Sequence, residues 1–68
     1  SHNGSFEVLE AVLTLPQKYR NVIYLHYIEG YTAPEIADIL KKNVNTIYTL
    51  LTRSKRILKE KLGGDEDE

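Results

Sequence analysis

The 68-residue chain has no cysteine at all. Disulfide staples and thiolate metal sites are therefore excluded, and stability has to come from packing. The missing thiols do not fix a compartment, although they are compatible with cytosol. Long apolar runs are missing too. The longest is Val22-Ile23-Tyr24-Leu25, resuming after His26 with Tyr27-Ile28, far short of the ~20 residues that a membrane span needs. No signal-peptide pattern opens the chain. No nucleophile–base pair, glycine-rich phosphate loop or paired catalytic carboxylate is found, so the chain is read as a non-enzyme without cofactor or metal. An excess of one charge is also lacking, because 9 Lys and Arg stand against 10 Asp and Glu for a net charge of −1. That balance excludes a uniformly basic tail, and 41% hydrophobic residues argue against disorder.

The near-neutral total hides a segregation. Residues 1–40 set Lys18 and Arg20 against Glu7, Glu10, Glu29, Glu35 and Asp38, a net −3. Residues 41–62 set Lys41, Lys42, Arg53, Lys55, Arg56, Lys59 and Lys61 against Glu60, a net +6. The last six residues carry Asp65, Glu66, Asp67 and Glu68, a net −4. One basic third in a short chain points to a nucleic-acid or membrane surface. A chain of this size buries only about 60% of its unfolded surface and supports one thin core.

Hydrophobic spacing is helical throughout, with no strand pattern and no repeat. Phe6, Leu9, Val12 and Leu13 mark a first amphipathic helix. Thr14-Leu15-Pro16-Gln17 has capping-box spacing, which predicts Thr14 as the N-cap of a second helix running to about Glu29. Gly30 then serves as its left-handed stop. Thr32-Ala33-Pro34-Glu35 repeats the capping device ahead of a third helix about two turns long, with Ile36, Ala37 and Leu40 inward. Asn43 caps a fourth helix whose inward stripe is Val44, Ile47, Leu50 or Leu51, Ser54 and Leu58. Gly63-Gly64 ends it. Ser1-His2-Asn3-Gly4-Ser5 reads as an expression scar, giving a division into scar (1–5), helical domain (6–62) and acidic flexible tail (63–68).

Helices three and four, joined by a short turn with Ala37 at their crossing, have the shape of a helix-turn-helix. The predicted fold is all-α, with four helices, winged-helix-like but without a wing. With Ile36, Leu40, Val44 and Ile47 inward, Asn45, Tyr48, Thr49 and Thr52 face outward near the start of helix four, where a recognition helix meets base edges. Lys41 and Lys42 in the turn and Arg53, Lys55 and Arg56 further along flank that surface, as phosphate contacts would. N–H groups near Thr32 offer another phosphate position. Basic residues on an amphipathic helix are commonly just a solvated face, so pattern alone also leaves a helical interaction module open. A membrane-surface helix is disfavoured because the apolar side of helix four is needed for the core.

The residue order adds to this. Leu15-Pro16-Gln17-Lys18-Tyr19-Arg20-Asn21-Val22-Ile23-Tyr24-Leu25-His26-Tyr27-Ile28-Glu29-Gly30-Tyr31-Thr32 resembles the start of region four in bacterial extracytoplasmic-function (ECF) sigma factors. So do Glu35-Ile36-Ala37-Asp38-Ile39-Leu40, Val44-Asn45-Thr46-Ile47 and Leu51-Thr52-Arg53-Ser54-Lys55-Arg56. The resemblance covers roughly residues 6–62. It implies a cytoplasmic, monomeric four-helix module that reads the minus-35 element of double-stranded promoter DNA during transcription initiation. It also implies docking to the flap of the RNA polymerase β subunit and binding of an anti-sigma factor. Thr46 matches the family's recognition-helix threonine, and Arg53 and Arg56 fall in its basic run. Asn45, Thr46, Tyr48, Thr49 and Thr52 are thus expected to face bases, and Thr32, Lys42, Arg53, Lys55 and Arg56 to face phosphates.

Some positions depart from the family. Lys41 and Asn45 replace glycine, Lys42 an apolar residue, Tyr48 a lysine and Leu50 an arginine. The last two changes are expected to remove cationic contacts to DNA. Lys41 in a turn favouring positive φ is expected to cost about 1 kcal/mol relative to glycine.

Helix two is apolar around nearly its whole circumference, which one bundle contact cannot bury. A partner-docking face of Val12, Tyr24, Tyr27 and Ile28 is therefore expected, although tyrosines also tolerate half-exposure at little cost. His26 has no clustered ligands and reads as a packed or rim histidine rather than a metal ligand. Two alternatives to the sigma reading remain. One is the output domain of a LuxR-type response regulator, which shares the Leu-Pro…Ile-Ala spacing. The other is a protein-interaction module whose DNA face has decayed.

Overall fold

A computed structural model describes residues 4–63, with side chains from Phe6 onward. Residues 1–3 of the expected scar (1–5) and residues 64–68 of the expected tail (63–68) lie outside the described residues. The elements are α1 (Gly4–Leu13), α2 (Gln17–Ile23) running on into a π-helical turn (Tyr24–Ile28), α3 (Ala33–Leu40) and α4 (Val44–Lys61). No strand occurs among the described residues, and α3 and α4 form a helix-turn-helix. The all-α expectation holds. α1 begins at Gly4 rather than at Phe6.

The junction between α1 and α2 departs from its expectation. Thr14 does not cap α2; its hydroxyl donates to the Ala11 carbonyl at 2.8 Å, and its N–H bonds Glu10 and Ala11 carbonyls. It finishes α1 instead. Pro16 stands at the N-cap of α2 with no side-chain bond, its carbonyl accepting from Tyr19 and Arg20 N–H groups. Thr14 stands two residues before the N-cap, because Pro16 is fixed outside the helix with ψ 149°. Leu15 turns inward between the helices and is 2% exposed.

The end of α2 widens. Glu29 N–H reaches the Tyr24 carbonyl five residues back, at 3.0 Å, and Tyr31 N–H reaches the Leu25 carbonyl at 2.9 Å. Gly30, at φ +86°, supplies the left-handed reversal foreseen for it. Side chains would meet no obstacle there, so the backbone angle alone calls for glycine.

From Thr32 onward the local signals hold. Thr32 Oγ1 accepts from Glu35 N–H at 3.3 Å, and Glu35 Oε1 accepts from Thr32 N–H at 2.9 Å, a complete capping box. Asn43 Oδ1 accepts the N–H of Asn45 at 2.7 Å and starts α4. Between them Lys41 takes φ +59°, the one left-handed non-glycine among the described residues. Lys42 N–H closes α3 on the Ala37 carbonyl.

The core gathers Val12, Leu15, Val22, Ile23, Ala33, Ile36, Ala37, Ile47, Leu50 and Leu51. α4 is its spine and packs against α2, α3 and α1. Ile36 and Ile47 are wholly inaccessible where α3 crosses α4, with Ala37 beside them. Ser54 is equally buried, its hydroxyl donating to the Leu50 carbonyl at 2.6 Å and lying 3.4 Å from the Tyr19 carbonyl of α2. Leu50 and Leu51 are both inward, which corrects the reading of Leu50 as a lost DNA contact. A side chain pointing into the core at that position meets no phosphate.

Candidate nucleic-acid interface

Burying Ile47, Leu50, Leu51 and Ser54 decides which side of α4 faces water. At roughly 100° per residue, Asn45, Thr49, Thr52 and Arg56 form one row diametrically opposite that stripe, and all four are exposed. The row climbs about 10 Å from Asn45 to Thr52 at 1.5 Å per residue, which matches the ~12 Å width of a B-DNA major groove. Arg56 stands a further turn along, at the distance of the groove's rim.

Thr46 and Tyr48 are also exposed, but they leave the row on opposite sides. Thr46 shares its flank with Arg53. Tyr48, 52% exposed, lies on the other flank beside Thr52. Tyr48, Thr49, Thr52, Arg53 and Arg56 together line a shallow depression of about 420 Å³ on this face. Pro34, Ala37, Asp38, Lys41 and Lys42 line a second one at the helix-turn-helix bend, where Lys42 comes three residues before Asn45 in the chain.

Two phosphate candidates are placed less simply. The Lys55 ammonium lies 5.9 Å from the centre of the Tyr27 ring, on the side of the π-helical turn. It is exposed and lies on the Tyr48 flank of α4, about 90° round the helix from the Asn45–Arg56 row. At Thr32 the capping box already occupies the Thr32 and Glu35 N–H groups. Pro34 has no N–H to offer, and the Glu35 carboxylate adds negative charge there.

The apolar side of the domain is divided in two by α1. One groove, about 680 Å³, is lined by Val8, Leu9, Val12, Ile23, Tyr27, Ile28 and Leu58, with Lys55 and Lys59 at its edge. The other, about 470 Å³, includes Leu9, Val12, Leu13, Tyr24, Leu25, Ile39 and Leu40. Tyr27 and Ile28 therefore share a groove that Tyr24 does not enter. Val12 is only 3% exposed and forms the floor of both grooves. Its expected place on an open docking face is corrected accordingly, because its i+3 neighbour Leu15 and the α2 core draw it inward. Val8, Leu9 and Leu58 line the first groove and were missed. The signal was present in α1, whose apolar residues at 6, 8, 9, 12 and 13 are too many for one buried stripe.

Two smaller features belong to this half. The Glu29 carboxylate accepts a hydrogen bond from the Tyr24 hydroxyl and, with its charge, raises the Tyr24 pKa above the ordinary tyrosine value. His26 is half-buried, with Nδ1 2.8 Å from the Tyr31 carbonyl and its ring edge-on to Tyr27 at 4.6 Å. It is a packed rim residue, as its surroundings in the sequence suggested.

The chain's residues 5–58 match the family model described as Sigma-70, region 4. Two curated relatives from Bacillus subtilis (strain 168) are similar. The ECF RNA polymerase sigma factor SigW is 38% identical over 55 residues, covering 81% of this chain and 29% of the relative. The RNA polymerase sigma factor SigV is 33% identical over 61 residues, covering 90% of this chain and 37% of the relative. The chain thus spans about a third of the length of these relatives.

Proposed function

The chain belongs to the sigma-70 region 4 family, a helix-turn-helix DNA-binding domain of sigma factors, and on that premise we propose that it recognises the minus-35 promoter element as part of an ECF sigma factor. Family membership separates it from the response-regulator output domain that the Leu-Pro…Ile-Ala spacing also fitted. The observation that carries the reading is the exposed row Asn45–Thr49–Thr52–Arg56, set opposite the buried stripe of α4. Asn45, Thr49 and Thr52 meet base edges from this row, and Thr46 and Tyr48 do so from its flanks. Lys42 at the bend and Arg53 and Arg56 at the far end neutralise phosphates on either side. Lys55, turned to Tyr27, contributes to the edge of the apolar groove instead.

The same domain docks on RNA polymerase through the grooves beside α1, where Tyr27, Ile28 and Leu9 stand exposed. The flap of the β subunit is the expected occupant, and an anti-sigma factor would compete for the same apolar surface. The protein acts as a cytoplasmic, monomeric domain. Among the described residues no helix is long and apolar enough to cross a membrane.

Titrating the chain with duplex promoter DNA at several salt concentrations tests the phosphate assignment. Three contacts from Lys42, Arg53 and Arg56 give log K against log salt a slope near about −2.7, whereas engagement of Lys55 as well steepens it to about −3.6. A slope indistinguishable from zero overturns the DNA-binding reading.

A further inference from the structure

The reading row carries no charge until Arg56. Asn45, Thr49 and Thr52 span about 10 Å of helix with an amide and two hydroxyls, and Tyr48 adds an exposed aromatic ring at its edge. Asn43 Oδ1 holds the backbone N–H of Asn45 and leaves its carboxamide unused. Among the described residues, no hydrogen bond within the chain engages the Thr49 or Thr52 hydroxyl.

Base chemistry makes this composition selective. Guanine presents two acceptors in the major groove, N7 and O6, and is read by a forked or multiple donor, usually Arg or Lys. Adenine presents an acceptor at N7 and a donor at N6, which a carboxamide matches with one donor and one acceptor. Thymine presents a C5 methyl group that packs against threonine methyls and aromatic rings. Within α4 the first cation is Arg53, eight residues and about 12 Å along the helix from Asn45 and one turn beyond Thr49, while Lys42 precedes the helix at the bend.

We infer that the tip of α4 selects A·T over G·C pairs, with Asn45 reading an adenine and Tyr48 and Thr49 packing on thymine methyls. This rests on the DNA-binding reading above and specifies its sequence class. Arg53 and Arg56 stay on phosphates and contribute affinity without sequence information.

The test is selection of the 68-residue chain on a random duplex library at low salt, followed by fluorescence-anisotropy competition with modified duplexes. Enriched sequences should share three or four consecutive A·T pairs. Replacing one of these by G·C should weaken binding about five- to a hundredfold. Replacing adenine by 7-deazaadenine, which removes N7, should weaken binding to the parent chain and not to Asn45→Ala. Replacing thymine by deoxyuracil, which removes only the methyl group, should weaken binding a few-fold, an effect abolished in Tyr48→Ala or Thr49→Ser. All three substitutions are at exposed positions, and a thermal melt matching the parent's establishes that the variants fold. Enrichment of G·C pairs, or indifference to both modified bases, overturns this inference while leaving DNA binding intact. A library that shows no binding at all removes the DNA-binding reading together with it.

Discussion

The two halves of the domain are built to different standards of local certainty. In the helix-turn-helix half, a complete capping box starts α3, Lys41 ends it in a left-handed turn, and Asn43 caps α4. In the other half, α2 starts on a proline with no side-chain cap and ends in a π-helical turn. The first half exposes mainly polar and cationic groups, with Tyr48 and Ile39 as its large apolar exceptions, whereas the second exposes Phe6, Leu13, Tyr27 and Ile28, each at least half accessible. A surface that reads DNA depends on fixed side-chain positions, and the caps fix α3 and α4 before any partner arrives. Apolar grooves that accept a partner helix need exposed area more than local order, and loosely terminated helices supply it.

The sharpest way to break this comparison is through burial. Ile47→Ala at the α3–α4 crossing should cost about 2–5 kcal/mol, which is most of the stability a domain this small possesses. Leu13→Ala, on a residue 59% exposed, should stay within about 0.5 kcal/mol. Thermal melts of the two variants followed by circular dichroism measure the contrast. Equal losses would mean that the apolar half is packed as tightly as the reading half.

Caps come next. Thr32→Ala removes the acceptor for Glu35 N–H and should cost about 1 kcal/mol. Thr14→Ala removes only a bond to the Ala11 carbonyl and should cost less than half of that, even though both threonines open the same sequence motif. Chemical denaturation of the two variants separates them.

That pair also shows how far the sequence was legible. The motifs Thr14-Leu15-Pro16-Gln17 and Thr32-Ala33-Pro34-Glu35 look alike. Only the second forms the capping box, with Pro34 at the second helical position, whereas Pro16 stands just outside its helix as the N-cap. The helix count, the Gly30 reversal, the Asn43 cap and the outward face of α4 could all be read from periodicity and capping chemistry. The π-helical turn could not, because a one-residue widening leaves no composition signal. Nor could the inward turn of Val12 and Leu50, since each helix has more apolar residues than one stripe holds and packing decides which are covered. The direction of Lys55 was equally hidden, because its preference for Tyr27 depends on where α2 ends.

A gain is expected where the reading half carries strain. Lys41→Gly at φ +59° should stabilise the domain by up to about 1 kcal/mol, seen as a higher melting temperature. An unchanged or lower value would mean that the lysine side chain packs usefully at the bend. The smallest effect lies in the other half. Tyr24 should titrate above the ordinary tyrosine range in phenolate absorbance, and Glu29→Gln should return it there. Because the folded pKa is the raised one, the Tyr24–Glu29 contact contributes fully below the unfolded tyrosine pKa and is lost as pH rises through the folded value.

The most direct measurement is amide chemical-shift mapping of the 68-residue chain during titration with duplex promoter DNA. Shifts centred on the bend and on the Asn45, Thr49, Thr52 and Arg56 row, with Leu9, Tyr27 and Ile28 undisturbed, are the predicted result. Shifts centred on the grooves beside α1, with the α4 row unmoved, would contradict the assignment of DNA reading to one half and docking to the other.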